Sequence, residues 1–319
     1  MTIKMKREGY EPLLDYLKGI AILLVLLNHG TSGFDGKLLY PLWVEQAVPI
    51  FFLVEAFQIY KKEQIHFPKL SKLWHRLIKP YIIIQCIFIL YYIFDNLVRG
   101  TSFLKNLQRM IDGGDGPGSY YIWVYIQLAF LCPLLTSVVK RKLARWIFVG
   151  VCILFEIFCS LVNMNESLYR LLCIRYIFLI YLGYLWVKNG IILTYKSALL
   201  SAMSAVLIFI LCYTRHNHPE INYEPLIFDT EWTPFHWFTY FLPWSLLSFI
   251  ICKCYLFRPS WLINKLIILC GKRSYEIFLF QMLVFVISPL SGKINVIICL
   301  LPLVIYERKF FTQMLKKKS

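Results

Sequence analysis

Long apolar runs recur along this chain and constrain its fold more than any other feature. A membrane-spanning helix needs about 20 predominantly apolar residues. Hydrophobic residues make up 59% of the 319 residues, and the mean hydropathy is +0.61. The runs predict an all-α fold: a polytopic membrane helical bundle of about ten transmembrane helices that forms one domain over residues 1–319. The predicted spans are 13–30, 42–60, 78–98, 120–139, 145–163, 168–187, 196–213, 234–253, 271–290 and 292–306.

The formal charge of +16 is distributed along the chain in short basic segments between the apolar runs. This arrangement argues against a nucleic-acid interface and is typical of membrane topology. The positive-inside rule orients the chain with both termini in the cytoplasm. The segments then predicted to be cytoplasmic hold most of the Lys and Arg residues, and they are 1–12, 61–79, 140–145, 188–196, 253–265 and 307–319.

The first apolar run carries three ionisable groups on one stripe. At about 100° per residue, Lys18 and His29 differ by roughly 20° around the helix axis, and Asp15 lies about 40° from His29. Ionisable groups inside spans usually face partners or water, and an imidazole titrates near neutrality. His29 is therefore a candidate base for a hydroxyl. A packing role near the helix end is the plainer interpretation of His29, and Asp15 can simply cap the helix or orient Lys18.

A basic segment precedes the third span and ends at Pro80. Anchoring by the positive-inside rule is one interpretation. The other rests on Arg76 and Lys79, which are three residues apart and would share one face of a helix. Such a pair can hold the phosphates of a nucleotide-like cofactor that arrives from the cytoplasm.

A glycine-rich loop precedes the fourth span. Residues 97–119 are predicted to lie outside and end in Gly113-Gly114-Asp115-Gly116-Pro117-Gly118-Ser119, directly before Tyr120 and Tyr121. The glycines permit tight turns, so plain turn chemistry is one interpretation. In the other, the loop covers a site whose tyrosines stack on a sugar. Glu45, near the outer end of the second span, is a further candidate for the cavity of His29.

The ten cysteines lie in or beside apolar runs. Apart from a bare Cys252-x-Cys254, none of them has the spacing of metal ligands. We expect buried free thiols and no metal site. Several further polar residues inside the spans need partners, and we expect those partners to be structural. They are Glu55, Gln58, Glu156, Arg175 and Glu276.

Together these segments resemble the acyltransferase-3 family of membrane acyltransferases over about residues 10 to 306. The similarity lies in Asp15-Tyr16-Leu17-Lys18-Gly19-Ile20-Ala21 with His29, Pro49-Ile50-Phe51-Phe52-Leu53, Arg76-x-x-Lys79-Pro80, Gly118-Ser119-Tyr120-Tyr121, Arg175-Tyr176 with Gly183, and Gly271–Leu279. Lys18, Lys79 and Gln281 stand where family members usually carry Arg, Arg and His.

The resemblance implies transfer of an acyl group, expected to be acetyl, from coenzyme A to a hydroxyl of a glycan. His29 would activate the acceptor hydroxyl as a base or carry the acyl group transiently. The residues implied to bind the anionic donor are Lys18, Arg76 and Lys79. The candidate acceptor-binding residues are Asp15, Glu45, Tyr120 and Tyr121.

The expected setting is a bacterial inner membrane. Acetyl-CoA or another acyl-CoA would be the cytoplasmic co-substrate, and a surface polysaccharide or oligosaccharide precursor, or a glycolipid, the acceptor. A transporter or flippase of lipid-linked glycan is the alternative, in which Asp15, Lys18 and His29 relay protons or steer a charged head group. A membrane assembly subunit without a site is a third possibility.

Overall fold

A computed structural model of the chain describes residues 2–4, 10–30, 47–62, 65–100, 104, 108, 114–162, 166–189, 192–194, 203 and 262–306. Glu45, the predicted span 234–253 and all but residue 203 of the predicted span 196–213 lie outside the described residues. The side chains of Glu156 and Arg175 also lie outside them.

The first half of the described chain is mostly helical from residue 10 onward. Pro80 lies in the first turn of a long helix, where its missing N–H is harmless, and Gly100 ends the same helix with a left-handed φ of 68°. The elements are β1 (Thr2–Lys4), α1 (Tyr10–Gly30), α2 (Ala47–Tyr60), α3 (Leu70–Leu73), a π-helix (Trp74–Ile78), α4 (Lys79–Arg99), α5 (Tyr120–Leu134) and α6 (Thr136–Val139).

The second half contains shorter helices and one strand. β2 pairs with β1 in antiparallel register, with Thr2 opposite Thr194. The elements are α7 (Ala144–Leu161), α8 (Glu166–Leu171), a 3-10 helix (Ile174–Tyr176), α9 (Ile177–Asn189), β2 (Ile192–Thr194), α10 (Leu262–Lys272), α11 (Ser274–Ile287), α12 (Gly292–Ile298) and α13 (Leu301–Tyr306).

The predicted all-α fold is confirmed for the described residues, apart from the three-residue strands β1 and β2. Several predicted boundaries differ from the structure. The span 120–139 is divided between α5 and α6, the span 168–187 among α8, the 3-10 helix and α9, and the span 292–306 between α12 and α13. Pro302 lies in the first turn of α13, where its missing N–H is tolerated. Helix α10 forms before the ninth predicted span, where the sequence interpretation had an inner segment ending at residue 265 and a span beginning at residue 271.

Helix α1 lies at the centre of the described bundle and approaches α10 most closely. A Cβ at Gly19 would overlap the backbone of Ile267, and a Cβ at Gly271 would overlap the carbonyl of Asp15. Small residues let membrane helices pack backbone against backbone in this way. The Tyr16 hydroxyl adds a buried hydrogen bond to Oδ1 of Asn264 at 3.1 Å.

The outer surface of α4 is apolar. Leu90 and Leu97 are 67% and 79% exposed, whereas Phe88 on the opposite face is fully buried. A contiguous exposed apolar face marks contact with lipid or with another protein. Among the described residues, Pro12–Gly30 and Leu70–Arg99 are long and apolar enough to cross a membrane.

Candidate active site

Helix α1 holds Lys18 and His29 on one uninterrupted element. The Lys18 ammonium lies 2.7 Å from Oδ1 of Asp15, and both side chains are about one fifth exposed, with relative accessibilities of 22% and 21%. Asp15 therefore orients Lys18, as the sequence interpretation allowed. His29 follows eleven residues later, about 16 Å along the axis.

Helix α11 runs parallel to α1 and packs against the imidazole of His29. The half-buried His29 ring packs against Phe285, with centroids 5.8 Å apart and planes tilted by 59°. Gly271, just before α11, contacts the backbone at Asp15, and Gly292, just after it, contacts Gly30. The two helices thus keep the Lys18 level at one end and the His29 level at the other.

Glu55 and Tyr125 form a polar pair near Lys18 that sequence reasoning did not connect. The Tyr125 hydroxyl donates a hydrogen bond to the Glu55 carboxyl. Arg76 acts electrostatically on Tyr125. The cations that act electrostatically on Glu55 are Lys62, Lys18 and Lys72. Four cations therefore act electrostatically on this pair, and we call Glu55, Tyr125 and these cations the polar centre.

The spacing expected of Arg76 and Lys79 is altered by the π-helix, Trp74–Ile78. Its wider turn replaces the α-helical geometry on which their shared face was predicted. Within this segment, the Tyr275 hydroxyl of α11 donates to the Leu77 carbonyl at 2.6 Å. Arg76 and Lys79 are both exposed, and Lys79 begins α4. Arg76 is the member of the pair that approaches the Glu55 and Tyr125 centre.

The end of the predicted outer loop is inserted between α4 and α11. Gly114, Gly116 and Gly118 have φ values of 96°, 92° and 80°, a region that favours glycine. A Cβ at Gly116 would come within 3.1 Å of Met282, and one at Gly118 within 3.0 Å of Phe278. Only glycine backbone fits these surfaces without displacing a neighbour. We call the segment 114–119 the inserted loop.

Polar groups on α4 satisfy the backbone of the inserted loop. Nε2 of Gln85 donates to the Asp115 carbonyl at 3.1 Å, and the Asp115 N–H donates to Oε1 of Gln85 at 3.0 Å. Ser119 donates from its hydroxyl to the Gly114 carbonyl at 2.7 Å. Irregular backbone between packed helices is tolerated where protein groups satisfy it, as they do here.

The Asp115 carboxyl accepts hydrogen bonds at both oxygens. Tyr92 donates from its hydroxyl to Oδ2, and the Gly116 N–H donates to Oδ1 at 2.7 Å. Burial raises the pKa of Asp115, and the Gly116 N–H opposes that shift. The carboxyl fastens the inserted loop to the outer half of α4.

The two candidate sugar-binding tyrosines lie among the helices. Tyr121 stacks on Phe52 with ring centroids 5.1 Å apart and touches Phe278 at 5.5 Å. Tyr120 is half-buried and packs against a cluster that contains Phe52 and Tyr176. An acceptor would therefore reach these rings only within the bundle, and their role in sugar binding stays a prediction.

Glu276, which the sequence analysis expected to need a partner, has one in the structure. Arg273 lies 3.4 Å from Glu276, one turn away. The described cysteines are free thiols, and they are Cys86, Cys132, Cys152, Cys173, Cys270 and Cys299. In the part of the chain that the structure describes, no group of three His, Cys, Asp or Glu residues is arranged to hold a metal ion.

Comparison with protein families identifies the chain. The profile of the acyltransferase domain, the acyltransferase-3 family, matches residues 12–305, from the first turn of α1 to the end of α13. The chain belongs to this family. The resemblance seen in the sequence is confirmed, and acyl transfer is the activity that the family assigns to this acyltransferase. No curated protein and no solved structure shows a significant match to it.

Proposed function

We propose that this acyltransferase is an integral membrane enzyme that transfers an acetyl group from acetyl-CoA to a hydroxyl of a surface polysaccharide or oligosaccharide precursor. The observation that carries the proposal is the unbroken α1, with a paired cation at one end and an imidazole about 16 Å farther along. One helix can thus serve a cytoplasmic anionic donor and an extracytoplasmic acceptor.

A multi-pass inner-membrane location with both termini in the cytoplasm is part of the proposal. The apolar outer face of α4 and the two sufficiently long helices support it. Contacts between helix ends support the topology. β1 pairs with β2, and Tyr275 bonds to Leu77, which joins segments expected inside. Gly30 meets Gly292, which joins segments expected outside.

The polar centre at the inner end fits an anionic donor. Lys18 and Arg76 reach it from different helices, and the surplus of cations over carboxylates favours phosphate groups. We assign donor binding to Lys18 and Arg76, with Lys79 as an exposed cation at the entrance. Asp15 holds Lys18 in place by its ion pair.

His29 supplies the proton transfer that ester formation needs. As a general base it takes the proton of the acceptor hydroxyl while the hydroxyl oxygen bonds to the acyl carbon. The carbon–sulfur bond of the thioester breaks, and the imidazolium returns the proton to the departing thiolate. The products are the O-acyl glycan and free coenzyme A. We assign acceptor binding to Tyr120 and Tyr121, with Glu45 as a further candidate from the sequence.

The test uses membranes from cells that make the surface glycan, with and without the full-length protein. Supplied with radiolabelled acetyl-CoA, membranes that contain the protein should label the glycan, and mass spectrometry should find one added acetyl group. Transport of the glycan across the membrane that depends on the proton gradient and does not require coenzyme A would instead favour the transporter and contradict the proposal.

A further inference from the structure

The Gln281 side chain on α11 is fully buried and only partly satisfied. Its Nε2 donates to the Pro117 carbonyl of the inserted loop at 3.2 Å. Its Oε1 is the one buried side-chain nitrogen or oxygen atom among the described residues that lacks a hydrogen-bond partner. Rotating the amide would place two carbonyl oxygens together, so the orientation is fixed by Pro117. A buried acceptor without a donor is rare in native proteins and calls for one.

The position of Gln281 along α11 suggests where that donor comes from. Phe285, which touches the His29 ring, lies one turn farther on the same face, about 6 Å away along the axis. Tyr275, which bonds to the segment that carries Arg76, lies about 9 Å in the other direction. The unsatisfied Oε1 therefore lies between the levels of the cations and of the imidazole.

The inserted loop gives this region a wall made of backbone. Gly116 lies against Met282 and Phe88, and Gly118 lies against Phe278, so the backbone of the inserted loop packs directly on α4 and α11. The Gln281 amide is the polar group that α11 presents to this loop.

We propose that Oε1 of Gln281 accepts a hydrogen bond from the pantetheine amide nearer the thiol of the acyl-CoA donor, and thereby positions the thioester at His29. The inference rests on the proposed donor. A pantetheine arm links phosphates to the thioester through two amides, each with an N–H donor. The amide nearer the thiol corresponds to the level one turn from Phe285. Gln281 is a binding and positioning residue in this account.

The experiment compares two ligands on the purified full chain in lipid nanodiscs. One is coenzyme A, and the other is an analogue with an ester oxygen in place of the N–H nearer the thiol. Isothermal titration calorimetry should give the wild-type protein about a tenfold higher Kd for the ester analogue. The Gln281→Met variant should bind both compounds equally, and more weakly than the wild type binds coenzyme A.

Gln127→Met is the matched control, because the Gln127 amide bonds to the Leu171 carbonyl and the Cys173 N–H in another part of the bundle. This variant should retain the tenfold preference even if it is less stable. Equal Kd values for the two ligands on the wild-type protein would overturn the Gln281 contact without any variant. A preference retained in Gln281→Met would overturn it as well. If the wild type bound no coenzyme A, the proposed donor itself would fail.

Discussion

At the scale of single residues, the ion pair of Lys18 and Asp15 distinguishes the roles of two residues that the sequence placed on one stripe of α1. The 2.7 Å contact makes Asp15 the group that orients the ammonium, and the charge of Lys18 also acts on Glu55. A cation held in this way can bind phosphate without the flexibility of a free lysine. In the proposed function, we therefore assign the pair to donor binding.

Replacing Lys18 with Ala should raise KM for acetyl-CoA about tenfold, the effect of removing roughly 1.4 kcal/mol of binding. Lys18→Arg should recover most of the loss, because either cation can lie near a phosphate. Steady-state kinetics with purified protein measure both. Lys142→Ala removes an exposed lysine outside the polar centre and should leave KM unchanged. An unaltered KM in Lys18→Ala would remove this residue from the donor site.

Asp115 should make stability depend on pH. Its ordinary pKa is 3.8 and burial raises it, so the folded state keeps the proton to a higher pH than the unfolded state. Stability then falls as pH rises from 3.8 through the raised pKa. Thermal unfolding in detergent should show this decline in the wild type and a flatter profile in Asp115→Asn.

Asp95→Asn is the control for this experiment, because the Asp95 carboxylate lies 3.3 Å from Arg99 at the end of the same helix. Its profile should keep the wild-type decline with rising pH. Identical profiles of thermal stability against pH for the wild type and Asp115→Asn would show that titration of the Asp115 carboxyl does not affect stability, which would contradict the prediction.

The site could be predicted from the sequence where the relevant residues share one helix. The separation of eleven positions from Lys18 to His29 was enough to place both on one stripe of α1. Glu55 was recognised only as a residue in need of a partner, since Tyr125 lies on another helix and no local pattern relates the two. Contacts across helices depend on packing that periodicity does not encode.

At the scale of elements, glycines determine how closely α1 approaches its neighbours. Gly271→Ala would drive a Cβ into the Asp15 carbonyl, so we expect about 1–3 kcal/mol of destabilisation. Gly150→Ala on α7 is the matched control, because its Cβ would have nothing within 4 Å. Thermal unfolding in detergent should show a lower midpoint for Gly271→Ala only. Equal midpoints would contradict the close packing of α1 and α10.

The sequence pattern did not predict the position of the inserted loop or the formation of the π-helix. The glycines at 114, 116 and 118 predicted turns correctly, but their spacing says nothing about insertion between α4 and α11. Insertion depends on Gln85, which satisfies the Asp115 backbone from another helix. The π-helix likewise forms where Tyr275 bonds to Leu77, a contact between distant parts of the chain.

At the scale of the whole molecule, the apolar runs predicted the helical class, and the family match covers the bundle from α1 to α13. Boundaries were less predictable: α10 and the division of the span 168–187 arise where short helices pack within the bundle rather than extend across it. The contact of Gly30 with Gly292 joins two helix ends that the prediction placed on the same side of the membrane.

The proposed topology predicts that a reporter at either terminus lies in the cytoplasm. Green fluorescent protein fused after Ser319 should fluoresce, and alkaline phosphatase at the same position should be inactive. Fusions before Met1 should behave in the same way. An active phosphatase at one terminus would require an odd number of spans and would contradict the ten-span bundle.

His29 tests the central claim most directly. In membranes supplied with radiolabelled acetyl-CoA, His29→Ala should lower the rate of glycan acetylation by about 10²-fold or more, because the hydroxyl loses its base. His66→Ala, which removes an exposed imidazole, should retain the wild-type rate. Both variants should unfold at temperatures near that of the wild type. A wild-type rate of acetyl transfer in folded His29→Ala would contradict the account.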